Sequence, residues 1–219
     1  MSPIPDAAHL LALRKRLWEG RASVLVGSGF SRSATTVNPE ATRPPLWNGI
    51  AEALKADLYP NHPEQCPSDP LRLAQEYETT LSRDALHERI ADCINDGAHE
   101  PSLNHKLLLQ LPWSDVFTTN YDTLLERTRR KAGRRYDVVR TPQGLPQATE
   151  PRIVKLHGSL PDTDPFIITE EDYRQYPQTH GAFVSLARTR LVEHSLVMVG
   201  FSGNDPNFLQ WSGWVRDHL

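Results

Sequence analysis

Nine residues, Ser23 through Ser31, constrain the fold of this chain more than any others. Ser23-Val24-Leu25-Val26 is a short aliphatic and β-branched run that ends at once in Gly27-Ser28-Gly29-Phe30-Ser31. Such a run reads as a buried strand whose end turns sharply towards a helix, where backbone N–H groups can face a phosphate. The same turn can be purely structural. The dinucleotide fingerprint asks for a third small residue at position 32, where this chain has Arg32, with Ala34 nearby.

The rest of the composition narrows the class. A chain of 219 residues suits one large α/β domain with room for an insertion. A formal net charge of −3 gives no general drive towards nucleic acid or an anionic membrane. One local exception is the cluster Arg127, Arg129, Arg130, Lys131, Arg134 and Arg135, which reads first as cations at a helix C-terminus and second as a seat for a phosphate-bearing partner. Cys66 and Cys93 stand far apart, so neither a disulfide framework nor a zinc site is indicated, and a reducing cytoplasm is expected. Apolar runs are strand-length rather than membrane-length.

Along the chain, Asp6 is a candidate N-cap for a helix carrying Leu10, Leu13 and Leu17, which Gly20 stops. After a loop over 31–45, helical spacing returns four times. Trp47, Ile50, Leu54 and Leu58 mark the first helix, and Asp69-Pro70 opens a second with Ala74, Tyr77 and Leu81. A third covers 84–94 with Leu86, Ile90 and Cys93, and a fourth follows Ser102 with Leu103, Leu107 and Leu111. Four successive helices exceed a simple crossover, so a helical insertion is expected at about 46–111.

Strand signals then resume. Val116-Phe117-Thr118-Thr119 delivers Asn120-Tyr121-Asp122, and Tyr136 to Arg140 is a shorter run. Arg152 to Leu156 delivers His157-Gly158-Ser159, and Phe166-Ile167-Ile168 is a further short run closed by a Thr169/Asp172 capping box. A helix with Phe183, Leu186 and Leu191 leads into Ser195 to Val199, which ends at Gly200-Phe201-Ser202, and a last helix covers 207–219. Strands ending in small or polar turns and separated by helices predict an α/β, Rossmann-like doubly wound parallel sheet, with the turns gathered at one edge.

Each turn has a bland reading: a tight exit, a helix cap through Asp122, a buried histidine. Their joint order, Gly-Ser-Gly-Phe-Ser, Thr-Thr-Asn-Tyr-Asp, Leu-His-Gly-Ser and Gly-Phe-Ser, resembles the sirtuin superfamily. More closely, it resembles the sirtuin-like NADase domains of bacterial anti-phage defence proteins. The resemblance covers about Gly27 to Asp205. It implies NAD+ as the substrate, no metal, Asn120 and His157 as catalytic residues, and cofactor contacts from Gly27, Ser28, Gly29, Ser31, Asp122, Gly200, Ser202 and Asp205. The glycine turn and Ser31 would hold the pyrophosphate, Asn120 the nicotinamide ribose or a water, and the Gly200 to Ser202 segment the adenosine side.

The zinc-ribbon cysteines of protein-deacylating sirtuins are missing, which favours water as the acceptor and ADP-ribose and nicotinamide as products. A protein deacylase and a non-catalytic nucleotide-binding or partner-docking module remain the alternatives. The resemblance further implies the N-terminal part of a longer cytoplasmic protein. Its partner would be a further copy of itself or a sensor protein or domain, for example a short Argonaute or a HerA-like ATPase, with no direct binding of nucleic acid or membrane by this domain.

Overall fold

A computed structural model describes residues 7–37, 42–162 and 165–219. The cap expected at Asp6 and residues 38–41 of the expected loop lie outside the described residues. Helix α1 (Ala7–Trp18) leads into strand β1 (Ala22–Val26), the single turn α2 (Ser28–Ser31) and the two-residue strand β2 (Thr35–Thr36). Helices α3 (Trp47–Leu58), α4 (Pro70–Thr80) and α5 (Arg83–Ile94) follow, then β3 (His99–Glu100), which pairs antiparallel with β2. The remaining elements are α6 (Leu103–Gln110), β4 (Asp115–Thr118), α7 (Leu124–Thr128), β5 (Asp137–Val139) and β6 (Arg152–Lys155). After them come α8 (Glu170–Thr179), α9 (Gly181–Glu193), β7 (Ser195–Val199) and α10 (Pro206–His218).

The main sheet has five parallel strands in the order β5-β6-β4-β1-β7. Alternation along each strand feeds two cores. Val24, Val26, Val116 and Ile153 face α1, α6 and α7 through Leu13, Leu17, Leu108, Leu109 and Leu125. Leu25, Phe117 and Val154 face α8, α9 and α10 through Tyr176, Phe183, Val184 and Trp211. Those of these side chains that are fully buried, such as Ile153 and Phe183, contribute about 1.5–3 kcal/mol each of apolar transfer energy. The chain leaves β1 towards β4 and later returns to lay β7 on the other side of β1, so a crevice opens at the carboxyl ends of these strands.

Helices α3, α4 and α5 build a third core of their own around Ile50, Leu54, Leu73, Tyr77, Leu86 and Ile90, and Trp47 and Cys93 pack at its margin. It is joined to the sheet domain through Tyr121, Phe166 and Ile168. The caps act as the residue types predict: Asp69 Oδ1 accepts from Leu71 N at 2.9 Å, and the Thr169/Asp172 box closes at both ends.

The fourth expected helix, α6, packs with the sheet instead. Its expected stripe of Leu103, Leu107 and Leu111 is exposed, and His105, Leu108 and Leu109 are buried. Three consecutive leucines, Leu107 to Leu109, offer two competing faces, and the sheet takes the one containing His105, Leu108 and Leu109. The run Phe166 to Ile168 forms no strand: Ile167 N bonds His157 O at 3.0 Å, and the neighbouring side chains divide between the second and third cores. Among the described residues β7 pairs with a strand on one side only, and Met198 is half exposed. Among the described residues no helix is long and apolar enough to cross a membrane.

Candidate active site

Parallel register places Lys155, Thr118, Val26 and Val199 in one row across the sheet. These four strands therefore deliver their turns to the same edge within two residues of that row. The turns after β1 and β7 clasp each other: Gly27 N donates to Val199 O at 3.1 Å and Gly29 N to Gly200 O at 2.9 Å. Contact is too close for side chains. A Cβ on Gly27 would lie 2.6 Å from Gly200 O, and one on Gly200, whose φ is +61°, would lie 2.1 Å from Phe30 N. These glycines are thus used for strand-to-strand approach, and the N–H groups of Gly27, Gly29 and Phe30 are already engaged. Ser28, half-buried, takes no part in the clasp.

Ser31 points away from the turn into a buried network with the β4 exit. Its hydroxyl donates to Asp122 Oδ2 at 2.7 Å and accepts from Asn120 Nδ2 at 2.9 Å. That pairing fixes the amide: Nδ2 is committed to Ser31, which leaves Asn120 Oδ1 as the acceptor presented elsewhere. Thr118 Oγ1 supports the turn by receiving Asn120 N at 3.1 Å while donating to Val26 O at 3.0 Å. Asp122 Oδ1 accepts from Leu124 N at 3.2 Å, starting α7. Burial pushes the Asp122 carboxyl up, opposed by the Lys155 charge and by the bonds from Ser31 and Leu124 N–H.

Beneath this network lies an ion pair that spacing alone did not single out. Lys155, 1 % exposed, donates to Asp122 O at 2.5 Å and pairs with Glu126 Oε1 at 3.1 Å. Ser159 Oγ donates to the same Glu126 oxygen at 3.0 Å. Strand alternation is the signal that finds Lys155: it shares the side of Ile153, which faces the first core.

His157 follows Lys155 by two residues and is 2 % exposed. Tyr173 and Tyr176 of α8 meet its ring edge to face, with centroids at 5.3 and 6.0 Å. Tyr173 OH lies 3.5 Å from Nδ1, while Asn207 Nδ2 and Asp205 Oδ2 lie 3.5 and 3.7 Å from Nε2. Tyr173 OH donates to Asp205 Oδ2 at 2.9 Å, and Asp205 Oδ1 caps α10 through Phe208 N at 2.9 Å. Burial lowers the His157 pKa, and the carboxylates of Asp205 and Asp172 partly offset it. The imidazole is therefore neutral at physiological pH and has anions beside it to receive a charge.

The structure brings Asn120, Asp122 and Ser31 together, and separately His157 and Asp205. Gly200 joins the first turn, and Ser202 is exposed, its hydroxyl 3.3 Å from Asn204 N. Tyr173 and Asn207 carry no sequence signal, because helical spacing assigns them no partner across the fold. The basic cluster after α7 does lie at a helix C-terminus, around an open cavity of about 370 Å³ lined in part by Arg129, Arg130, Arg134 and Arg135. That cavity touches none of the four turns.

Residues 114–218 match the family described as SIR2-like domain. The chain carries a SIR2-like domain. Its matched part contains the Asn120, His157 and Gly200 turns. Over 209 residues the chain is 34% identical to the NAD(+) hydrolase ThsA of Acinetobacter baumannii (strain 532279), covering 94% of this chain and 41% of that protein. A span of that extent takes in the glycine turn as well. The NAD(+) hydrolase ThsA of Enterococcus faecium is 30% identical, over 86% of this chain and 38% of its own length. Defense-associated sirtuin 2 of Bacillus subtilis is 25% identical, over 90% and 19%. The chain thus spans about two fifths or less of these curated relatives.

Proposed function

We propose that this SIR2-like domain hydrolyses NAD+ to ADP-ribose and nicotinamide, in a defence role by NAD+ depletion. The observation that carries the reading is the delivery of Asn120 and His157 from adjacent parallel strands to one edge, with the Asn120 amide locked by Ser31. The hydrolase names of the relatives support it.

When the ribose–nicotinamide bond breaks, its electron pair leaves with the pyridinium nitrogen, nicotinamide departs neutral, and positive charge develops on the sugar. Asn120 Oδ1, an uncharged acceptor with a fixed direction, orients the attacking water or a ribose hydroxyl. Water adds to the anomeric carbon and its proton passes to His157, a base kept neutral by burial. A ligand that reaches Nε2 takes the place of the Asn207 amide. Ser28 is the residue of the first turn left to meet the pyrophosphate. The Gly200 to Ser202 segment is assigned the adenosine side. No metal is assigned a role. Partner proteins, assembly into oligomers and a cytoplasmic setting belong to the same proposal.

The test is a mass balance on NAD+ incubated with the chain in the absence of acylated peptide. Equal amounts of nicotinamide and ADP-ribose are expected, with the release of both strongly reduced in folded Asn120→Ala and His157→Ala proteins. Release that requires an acylated peptide would replace the proposal with a deacylase.

A further inference from the structure

His157 sits among groups whose hydrogen-bond roles are constrained, and the constraints decide which ring nitrogen is the base. Tyr173 gives its only proton to Asp205 Oδ2, at 2.9 Å. Burial holds the Tyr173 phenol well above its ordinary pKa, so it keeps that proton. Towards His157 the phenol oxygen can then only accept. The nitrogen that faces it, Nδ1 at 3.5 Å, carries the ring proton, and Nε2 keeps the lone pair. Nε2 faces Asn207 Nδ2, a donor, at 3.5 Å. It also faces Asp205 Oδ2 at 3.7 Å, which an unprotonated nitrogen does not attract and a protonated one does.

We propose that Tyr173 and Asp205 are a positioning pair for His157: the Tyr173 hydroxyl holds the ring proton on Nδ1, and the Asp205 carboxylate stabilises the imidazolium formed when Nε2 takes a proton. The proton comes from the attacking water or a ribose hydroxyl, and no other bond changes at the ring. The charged and titratable groups facing the imidazole are Asp205, Asp172, Tyr173 and Tyr176, from α8 and the start of α10. Only Asp205 among them is both anionic and within ion-pair distance. Its Oδ1 is held by Phe208 N, so the carboxylate is fixed before the proton arrives. The pairing rests on the reading of His157 as the base of the NAD+ reaction.

The experiment is ¹⁵N NMR of the histidine ring nitrogens in the full chain, with NAD+ turnover measured on the same proteins. In the parent, Nδ1 is expected to be protonated and Nε2 unprotonated at neutral pH. Tyr173→Phe should mix the two tautomers. Asp205→Asn retains a side chain that caps helices well and should move the His157 titration to lower pH. Both variants should lower kcat by about 10- to 100-fold, short of the full contribution of a positioned base, with KM for NAD+ little changed.

A proton on Nε2 in the parent would overturn the proposal. So would an Asp205→Asn protein in which titration and kcat are both unmoved. Should Tyr173→Phe fail to fold, the parent tautomer and the Asp205→Asn titration still decide. If His157→Ala releases nicotinamide at the parental rate, the base reading falls, whereas the tautomer and titration still judge the pair.

Discussion

The two halves of the site are built to different tolerances. Around Asn120 the bonds are short and fully assigned, at 2.7 Å from Ser31 to Asp122 and 2.9 Å from Asn120 to Ser31. Around His157 the contacts to Tyr173, Asn207 and Asp205 are 3.5, 3.5 and 3.7 Å. The difference matches the work asked of each. An amide that only orients an oxygen keeps one charge state throughout and can be locked, whereas a base that changes protonation needs neighbours that suit both states. The Lys155–Glu126 pair sits under the rigid half, where it adds order without touching a reacting atom.

Breaking the loose half at its centre should have the largest effect. His157→Ala is expected to lower NAD+ turnover by about 100- to 10,000-fold, the range of a positioned general base, as read by nicotinamide release. Ser31→Ala frees the Asn120 amide to turn, and a misplaced group of this kind costs about 10- to 100-fold in rate. Its stability should fall by about 2 kcal/mol, because the bonds to Asp122 and from Asn120 are both lost. A large loss of stability with unchanged turnover would show that Ser31 serves the fold and leaves Asn120 alone.

The ion pair separates structure from chemistry. Glu126→Gln leaves the Lys155 ammonium buried without its counter-charge, which costs about 3 kcal/mol, measured by denaturant unfolding, while the mutant that folds should retain the parental KM. The smallest effect is on pH dependence. Burial lowers the pKa of His87, His105, His157 and His194, that of His105 to about 4. Each native pKa lies below the unfolded value, so this stability is fully present above about pH 6.5. It is lost as pH falls from there towards the native values, because the unfolded chain takes up protons first. A denaturant midpoint that rises between pH 7 and pH 5 would contradict that sign.

Much of this arrangement can be read from the residues alone, and the part that cannot is specific. The four strand ends are legible because apolar runs of strand length stop at Gly27, Asn120, His157 and Gly200, and parallel strands put their exits on one edge. The caps at Asp69 and Thr169 are legible because they are local. Ser31 reads as a phosphate ligand until its distant partners, Asn120 and Asp122, are placed beside it. Asp205 likewise reads as part of the cofactor segment, and only the crossing of α8 with α10 sets it against Tyr173 and His157. Glycines announce a tight turn without saying whether a ligand or another strand fills the space. Here the opposing chain at Gly200 fills it.

The most direct test of the contrast between the two halves is the pH–rate profile of nicotinamide release for the parent, Asn120→Ala and His157→Ala. The account predicts an acid limb below the ordinary imidazole range in the parent, set by the lowered His157 pKa. Asn120→Ala should keep that limb at a reduced rate across the whole range, and His157→Ala should lose it. An acid limb that persists unchanged in His157→Ala would contradict the account.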